Sequence, residues 1–392
     1  MYSARESTRE TVKPRLLVAD FYYEQALANI LASVDKSGSC YAELIERVLD
    51  FGFGTSGAIC EEMSRYGWEV HVSIANSEIL QGKWIAENQP WLNKAGLPRV
   101  RRMRGTSRLH LPGVSWQDIL IRQVGLIQPD ILFTLDPNWL HVHHRRKIKT
   151  LRALLVGQSA VPLGPNTTQN FDAYVSSLPR NVELAGDERT LSYYLPHAFW
   201  PREADRSLPE FRDIGVLFYG SVSSRHAATL DLLRALSERQ ISVAAYCNWP
   251  DGVPVPANVD LHEPVWGHEL RATIARSKIV INRHMDHAHP YSNNMRLFEA
   301  TGLGAVLVTE SSVNLNELFE PGVECLTYET FAEAASVIEG LLNDDNRLAS
   351  IASAGKRRTL SCHQYKHRAK ELDGIFRNLI DMKRGGNHTS SV

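Results

Sequence analysis

The sequence has 392 residues, with 43 Lys and Arg against 44 Asp and Glu, a formal net charge of −1 and 43 % hydrophobic residues. At roughly 100–200 residues per domain this length implies two domains with sizeable cores. The balanced charge argues against a nucleic-acid-binding protein, which shows a basic excess or a basic stripe, and no run approaches the roughly 18–20 apolar residues that span a bilayer.

The first residues, Met1 to Arg15, are polar and lack the apolar core of a secretory signal. The cysteines at 40, 60, 247, 325 and 362 are scattered and form no C-x-x-C pair, which supports neither a zinc knuckle nor a disulfide framework. A reduced, cytoplasmic protein is expected. Short apolar runs alternate with amphipathic stretches, the pattern of βα units and parallel sheets. In the first half strands are predicted at Arg15–Ala19, Glu69–Ile74, Ile131–Leu135, Leu154–Gly157 and Ala173–Ser176. Helices are predicted at Ser56–Tyr66 and Trp116–Gln128. The basic run His141 to Lys149 reads as a solvated helix face or an anion contact. A polar, proline-marked stretch, Pro201 to Pro209, marks the interdomain linker.

The pattern then restarts. Strands are predicted at Ile214–Tyr219, Val243–Cys247, Lys278–Asn282, Ala305–Thr309 and Cys325–Tyr328. Helices are predicted at Arg225–Glu238, Gly267–Ser277, Asn293–Thr301, Leu315–Phe319 and Thr330–Leu342. The resulting division is a Rossmann-like domain at 1–203, a second at 204–384 that includes the terminal helices, and a disordered tail at 385–392. Open parallel sheets bind ligands beyond the carboxyl ends of their strands, so the informative residues lie just after strands.

Three such places stand out. At Phe218-Tyr219-Gly220-Ser221-Val222-Ser223-Ser224-Arg225 a strand ends in a glycine turn, and backbone N–H groups and Arg225 can meet a phosphate there. The same pattern describes an ordinary βα turn. In Ile279 to Glu310 a polar loop follows the strand, and a helix entered at Ser292-Asn293-Asn294 carries Arg296 and Glu299. A helix N-terminus there suits an anion, with Asn293 or Ser292 as its cap. Glu299 sits among apolar residues and needs a partner, which a sugar diol or a salt bridge to Arg296 or Arg283 would supply. His284, His287 and His289 in the same loop have spacings compatible with zinc, with substrate contacts, or with a merely polar loop. In the first half, Asp20 and Asp136 each follow a strand. Either suits a general base or an ordinary turn or cap. Tyr22, Tyr23, Trp139 and His141 are candidates to stack on or hydrogen-bond an acceptor. His197 either lines the cleft or is a packed structural histidine. Gly52, Gly54 and Gly57 have G-x-G-x-x-G spacing, but the preceding Leu44–Phe51 reads as helix, which weakens a dinucleotide reading.

The runs Lys278 to Asn282, Asn294 to Ala300, Gly302 to Thr309, Glu317 to Gly322 and Tyr365 to Arg368 together resemble the C-terminal domain of GT-B glycosyltransferases. The resemblance is to the spore-maturation-protein-like (CgeB-type) branch of the family-1 glycosyltransferase domains and spans about Asp213 to Arg377. Gly54-Thr55-Ser56, Asn76, Gln81, Trp84, Gly157-Gln158 and Ser176-Ser177 extend it into the first half. The resemblance implies an α/β fold of two Rossmann-like domains facing across a cleft. It also implies transfer of a sugar from a nucleoside-diphosphate sugar, held by the second domain, to an unidentified acceptor. Glu299 matches the second glutamate of the E-x7-E motif, which contacts ribose. The first glutamate is replaced by Tyr291, so donor identity and stereochemistry stay open. Gly220, Ser221 and Arg225 match the turn facing the diphosphate, and Arg283 or Arg296 stands in for a missing basic residue. No D-x-D triplet occurs, so no metal is expected, and no cofactor beyond the nucleotide-sugar substrate. A sugar-nucleotide epimerase and a non-enzymatic two-domain sugar- or nucleotide-binding protein are the alternatives.

Overall fold

A computed structural model describes residues 13–33, 39–90, 100–103, 106–109, 115–164, 167–187, 190–222 and 227–388. In the first half the strands are β1 (Arg15–Asp20), β2 (Glu69–Ile74), β3 (Val100–Met103), β4 (Thr106–Leu109), β5 (Ile131–Thr134), β6 (Leu154–Ser159), β7 (Ala173–Ser176) and β8 (Leu191–Tyr194). All but β3 and β4, which pair as an antiparallel hairpin, form a parallel sheet of order β2-β1-β5-β6-β7-β8. In the second half β9 (Ile214–Ser221), β10 (Val243–Asn248), β11 (Val259–His262), β12 (Ser277–Asn282), β13 (Val306–Glu310) and β14 (Leu326–Tyr328) form a second parallel sheet, β11-β10-β9-β12-β13-β14. The expected pair of Rossmann-like sheets is present, and each covers its strands with helices on both faces, as continuous apolar runs such as Ile131–Thr134 require.

Local sequence sets several helix starts. Ser115 and Asp118 form a reciprocal capping box at Trp116–Ile127, and Ser77, Thr330 and Asp344 cap three further helices. The helix containing Glu299 behaves differently. It runs only Arg296–Gly302, and no side chain caps it. The expected start at Asn293 fails because Ser292 and Asn293 are drawn into other hydrogen bonds, and the helix begins three residues later. The helix Val142–Thr150 occupies the basic run, yet Arg145 and His144 are buried. Arg145 donates to the carbonyls of Pro137, Leu140, Thr167 and Gln169, which makes it a loop staple and neither a solvated charge nor an anion contact.

The last helix, Tyr365–His388, departs from the expected division. It returns to the first sheet. Tyr365, Leu372 and Phe376 share a core with Leu16, Phe133 and Val156, and Trp68 Nε1 donates to Asp373 Oδ1 at 2.7 Å. The helix also takes in residues 385–388 of the expected tail. Residues 389–392 lie outside the described residues.

Two chain segments therefore cross between the domains, and they are tied together. Phe199 N donates to His363 O at 2.7 Å, and Tyr365 N donates to Phe199 O at 3.0 Å. Beside this tie, two consecutive aromatic rings enter opposite domains. A Cβ on Gly302 would lie 2.6 Å from the Phe199 ring, and one on Gly57 would lie 2.9 Å from the Trp200 ring. Arg202 crosses over Gly52 to Asp50. These contacts account for two of the three glycines of the G-x-G-x-x-G spacing, and a helix, Tyr41–Asp50, precedes it. Both facts remove the dinucleotide reading. Gly302→Ala should cost about 1–3 kcal/mol through overpacking of a buried ring. An unchanged midpoint in urea denaturation would refute the contact.

Candidate active site

Each sheet reverses its strand order once, between β1 and β5 in the first domain and between β9 and β12 in the second. Adjacent helices there turn to opposite faces and leave a crevice at the strand ends. Both crevices open into one cleft of about 620 Å³. It gathers Asp20, Asp136, Gly220, Ser221, Arg283, Asn294, Arg296 and Glu299 from far-separated parts of the chain.

The second-domain wall is basic. Arg296 Nη1 donates to Asn282 Oδ1 at 2.7 Å, and its guanidinium lies over the Phe218 and Tyr219 rings. It approaches so closely that a Cβ on Gly220, whose φ is +142°, would sit 2.6 Å from Nη2. That explains the glycine at this strand end. Arg283 is nine-tenths buried and ion-pairs with Asp286 and Glu310. Its Nη1 and the Arg296 Nε have no hydrogen-bond partner, and a buried unpartnered N–H is a costly group. Glu299 accepts a 2.9 Å hydrogen bond from the Tyr219 hydroxyl. Burial raises its carboxyl above the usual range, opposed by Tyr219, Arg271 and Arg296. The alternative ion pair to Arg296 or Arg283 is not formed, and Glu299, which lines the cleft, keeps accepting capacity there.

Behind this wall lies a brace that sequence reasoning missed. Asn282, at the end of β12, accepts from both Arg296 and Asn294 Nδ2 and donates to Thr309 Oγ1 at 2.8 Å. His284 is buried, and Asn293 N, Asn294 Nδ2, Ser292 Oγ and Thr309 Oγ1 surround its two nitrogens. Burial, with Arg296 and Arg283 nearby, lowers its pKa to about 3, so the ring is neutral. With both nitrogens engaged it is no metal ligand. Among the described residues no group of three His, Cys, Asp or Glu is placed to hold a metal ion. The one sequence signal for the brace was an asparagine at a strand end ahead of the Asn294-x-Arg296 pair.

The first-domain wall is acidic and aromatic. Asp20 is 9 % exposed, and its Oδ1 accepts from Phe21 N at 2.7 Å. Burial, with a smaller contribution from Asp136, raises its pKa to about 6, against hydrogen bonds from Phe21 and Ser56. Asp136 Oδ1 accepts from Asn138 N and caps the short helix Pro137–Trp139, which was its bland reading. Tyr22 is buried, its hydroxyl 2.8 Å from Ser56 Oγ, whereas Tyr23 is exposed at the rim. His197 is half-buried, its Nε2 3.3 Å from Ser177 Oγ, and burial lowers its pKa to about 4. It is a packed histidine.

Two expected donor residues, Tyr291 and Asn293, are not in this constellation. Arg225 lies outside the described residues. Tyr291 lines two neighbouring cavities instead. Asn293 is buried and donates across the domain boundary to Ala160 O at 2.6 Å, so it ties the domains together.

With this geometry in hand, comparisons identify the class. Residues 225–374 match the model of a family described as glycosyl transferase-like. The whole fold resembles Anabaena HepE in complex with UDP-glucose, with TM-score 0.58 and 13 % identity over 93 % of this chain and 99 % of that one. It resembles the sucrose-phosphate synthase of Thermosynechococcus elongatus, with TM-score 0.55 and 11 % identity over 94 % and 100 %. A glycosyltransferase from Rickettsia africae gives TM-score 0.57 and 9 % identity over 94 % and 99 %. No curated protein matches the sequence. The chain has the GT-B glycosyltransferase fold, and within it residues 225–374 of the second domain resemble the glycosyl transferase-like family. Among the described residues no helix is long and apolar enough to cross a membrane.

Proposed function

We propose that this protein is a glycosyltransferase that moves a sugar from a nucleoside-diphosphate donor, held by the second domain, to a hydroxyl of an acceptor held by the first. The observation that carries the reading is the placement of Arg283, Arg296 and Glu299 together along the cleft at the β9/β12 switch point. Glu299 receives the ribose hydroxyls. Arg283 and Arg296 meet the charge that develops on the departing diphosphate. Asn282 and His284 hold Arg296 and Asn294 in place. Asp20 accepts the acceptor's proton as the new C–O bond forms and the donor's C–O bond breaks. This is a single displacement without metal, a reading supported by the two arginines and by the lack of a D-x-D triplet. UDP occupies two of the HepE structures and is the first nucleotide to test. A passive binding protein needs no carboxylate poised on the facing wall, and UDP release that depends on an added acceptor separates transfer from epimerisation. A cytoplasmic location accords with five cysteines that are all unpaired.

Calorimetry tests the reading directly. Glu299→Ala should weaken UDP binding roughly 10- to 100-fold, the loss of charged hydrogen bonds of about 1.5–3 kcal/mol, with little change in Tm. Unaltered affinity would remove Glu299 from the donor site.

A further inference from the structure

Arg283 is held by two carboxylates that differ in kind. It stands where two cavities meet, because Arg283 and Met285 line both the interdomain cleft and a neighbouring cavity of about 500 Å³. Asp286 and Glu310 line that second cavity and not the cleft.

Glu310 is the fixed partner. It ends β13, its Oε2 accepts from His284 N at 2.8 Å, and its Oε1 lies 3.4 Å from Arg283 Nε. One carboxylate thus grips two consecutive residues just past the end of β12, and its side chain is only 27 % exposed. Asp286 is the loose partner. It accepts from Arg283 Nη2, its side chain is 64 % exposed, and it opens the single-turn helix Asp286–Ala288. A carboxylate so largely in water contributes little by pairing and is readily exchanged.

The points of attachment differ as well. Nε adjoins the side-chain stem, whereas Nη2 lies at the tip, so the tip can turn while Glu310 stays in place. The Arg283 Nε and Nη1 have no hydrogen-bond partner, which leaves the guanidinium short of acceptors. Two carboxylates on one cation also leave a net negative group, and that repels a diphosphate. The repulsion is relieved when one carboxylate lets go, and Asp286 is the one that water can receive.

Resting on the donor reading above, we propose that Asp286 is a placeholder for the donor's diphosphate. It holds the Arg283 tip in the free protein and yields it when the diphosphate enters the cleft. Glu310 keeps its grip near the stem and is a positioning residue for Arg283. The exchange favours a ligand with enough negative charge to displace a carboxylate, which a nucleoside lacks.

Asp286→Asn, a change at an exposed position, tests this by calorimetry with UDP and with uridine. It should tighten UDP about two- to fivefold, the range set by a weak ion pair, with no gain for uridine. In an Arg283→Met background the same substitution should not alter UDP affinity, because no guanidinium is left to release. Glu310→Gln keeps an acceptor for His284 N. It should lower kcat about 10- to 100-fold, the scale of a misplaced group, with little change in the KM for the donor. Unchanged or weaker UDP binding in Asp286→Asn, equal tightening of uridine, or equal tightening of UDP in Glu310→Gln would each overturn the proposal. The two readings fail separately. Full UDP affinity in Arg283→Met strikes at Arg283 as a donor residue, whereas weakened binding there with no gain from Asp286→Asn strikes only at the placeholder. Thermal denaturation checks that Arg283→Met folds, and the comparison of UDP with uridine stands without it.

Discussion

Asp20→Asn should lose about 100- to 10,000-fold in kcat, the range for removal of a general base, and should become more stable at neutral pH. The two effects share a cause. Burial raises the folded carboxyl from 3.8 to about 6, so the folded state holds the proton more tightly than the unfolded chain does. The stability this proton confers is present below about pH 4 and is lost as pH rises toward 6. At neutral pH the ionised, buried Asp20 is a liability of up to about 3 kcal/mol. Asparagine keeps the acceptor for the Phe21 N–H without the charge, so a gain of about 1–3 kcal/mol in urea denaturation is expected. Activity of the unmodified enzyme should climb through pH 6 as Asp20 ionises. A retaining mechanism needs no such base, so full activity in Asp20→Asn would refute the single-displacement reading. A less stable variant would show instead that Asp20 is structural.

Arg296→Met should reduce kcat/KM for the donor about 100- to 1,000-fold, the scale of one preorganised charge on a leaving group. Methionine keeps much of the packing against Phe218 and Tyr219, so lost charge rather than lost volume is tested. Arg296→Lys should rescue poorly. A compact ammonium cannot reproduce a planar fork that holds Asn282 Oδ1, lies over two rings and lines the cleft together. Steady-state donor kinetics at fixed acceptor, with UDP release as readout, check both variants. Equal kcat/KM in the methionine variant would assign the diphosphate elsewhere.

The apolar strand runs were legible because buried parallel strands carry little else. β8 and β11 went unseen because they lie at sheet edges and expose polar or half-polar residues, Leu191 to Tyr194 and Val259 to His262. Glu299, Arg296, Asp20 and Asp136 could be picked out because strand-end position is a local property. Their partners could not. Tyr219 reaches Glu299 across 80 residues, and Asn293 reaches Ala160 across 133, distances that no periodicity encodes. Asn293 looked like a helix cap because its type suits one, but a tertiary hydrogen bond outcompeted the local one. The last helix looked like part of the second domain because it follows the second sheet in sequence. Its apolar face fits the first sheet, and that fit depends on which core is left open.

The Phe199–Trp200 pair has a mechanical consequence. One ring is seated against Gly302 and the next against Gly57, in opposite domains, and the two crossing segments are bonded beside them. Sliding one domain past the other would drive a ring into backbone, so the joint resists shear and admits rotation. It acts as a fulcrum at one side of the interface. A few degrees of turn there barely disturb the seated rings, while leverage over the breadth of the domains moves the walls carrying Asp20 and Arg296 by a larger amount. Such a turn would also stretch the Asn293–Ala160 hydrogen bond that spans the boundary, so the angle of the joint and that bond are coupled.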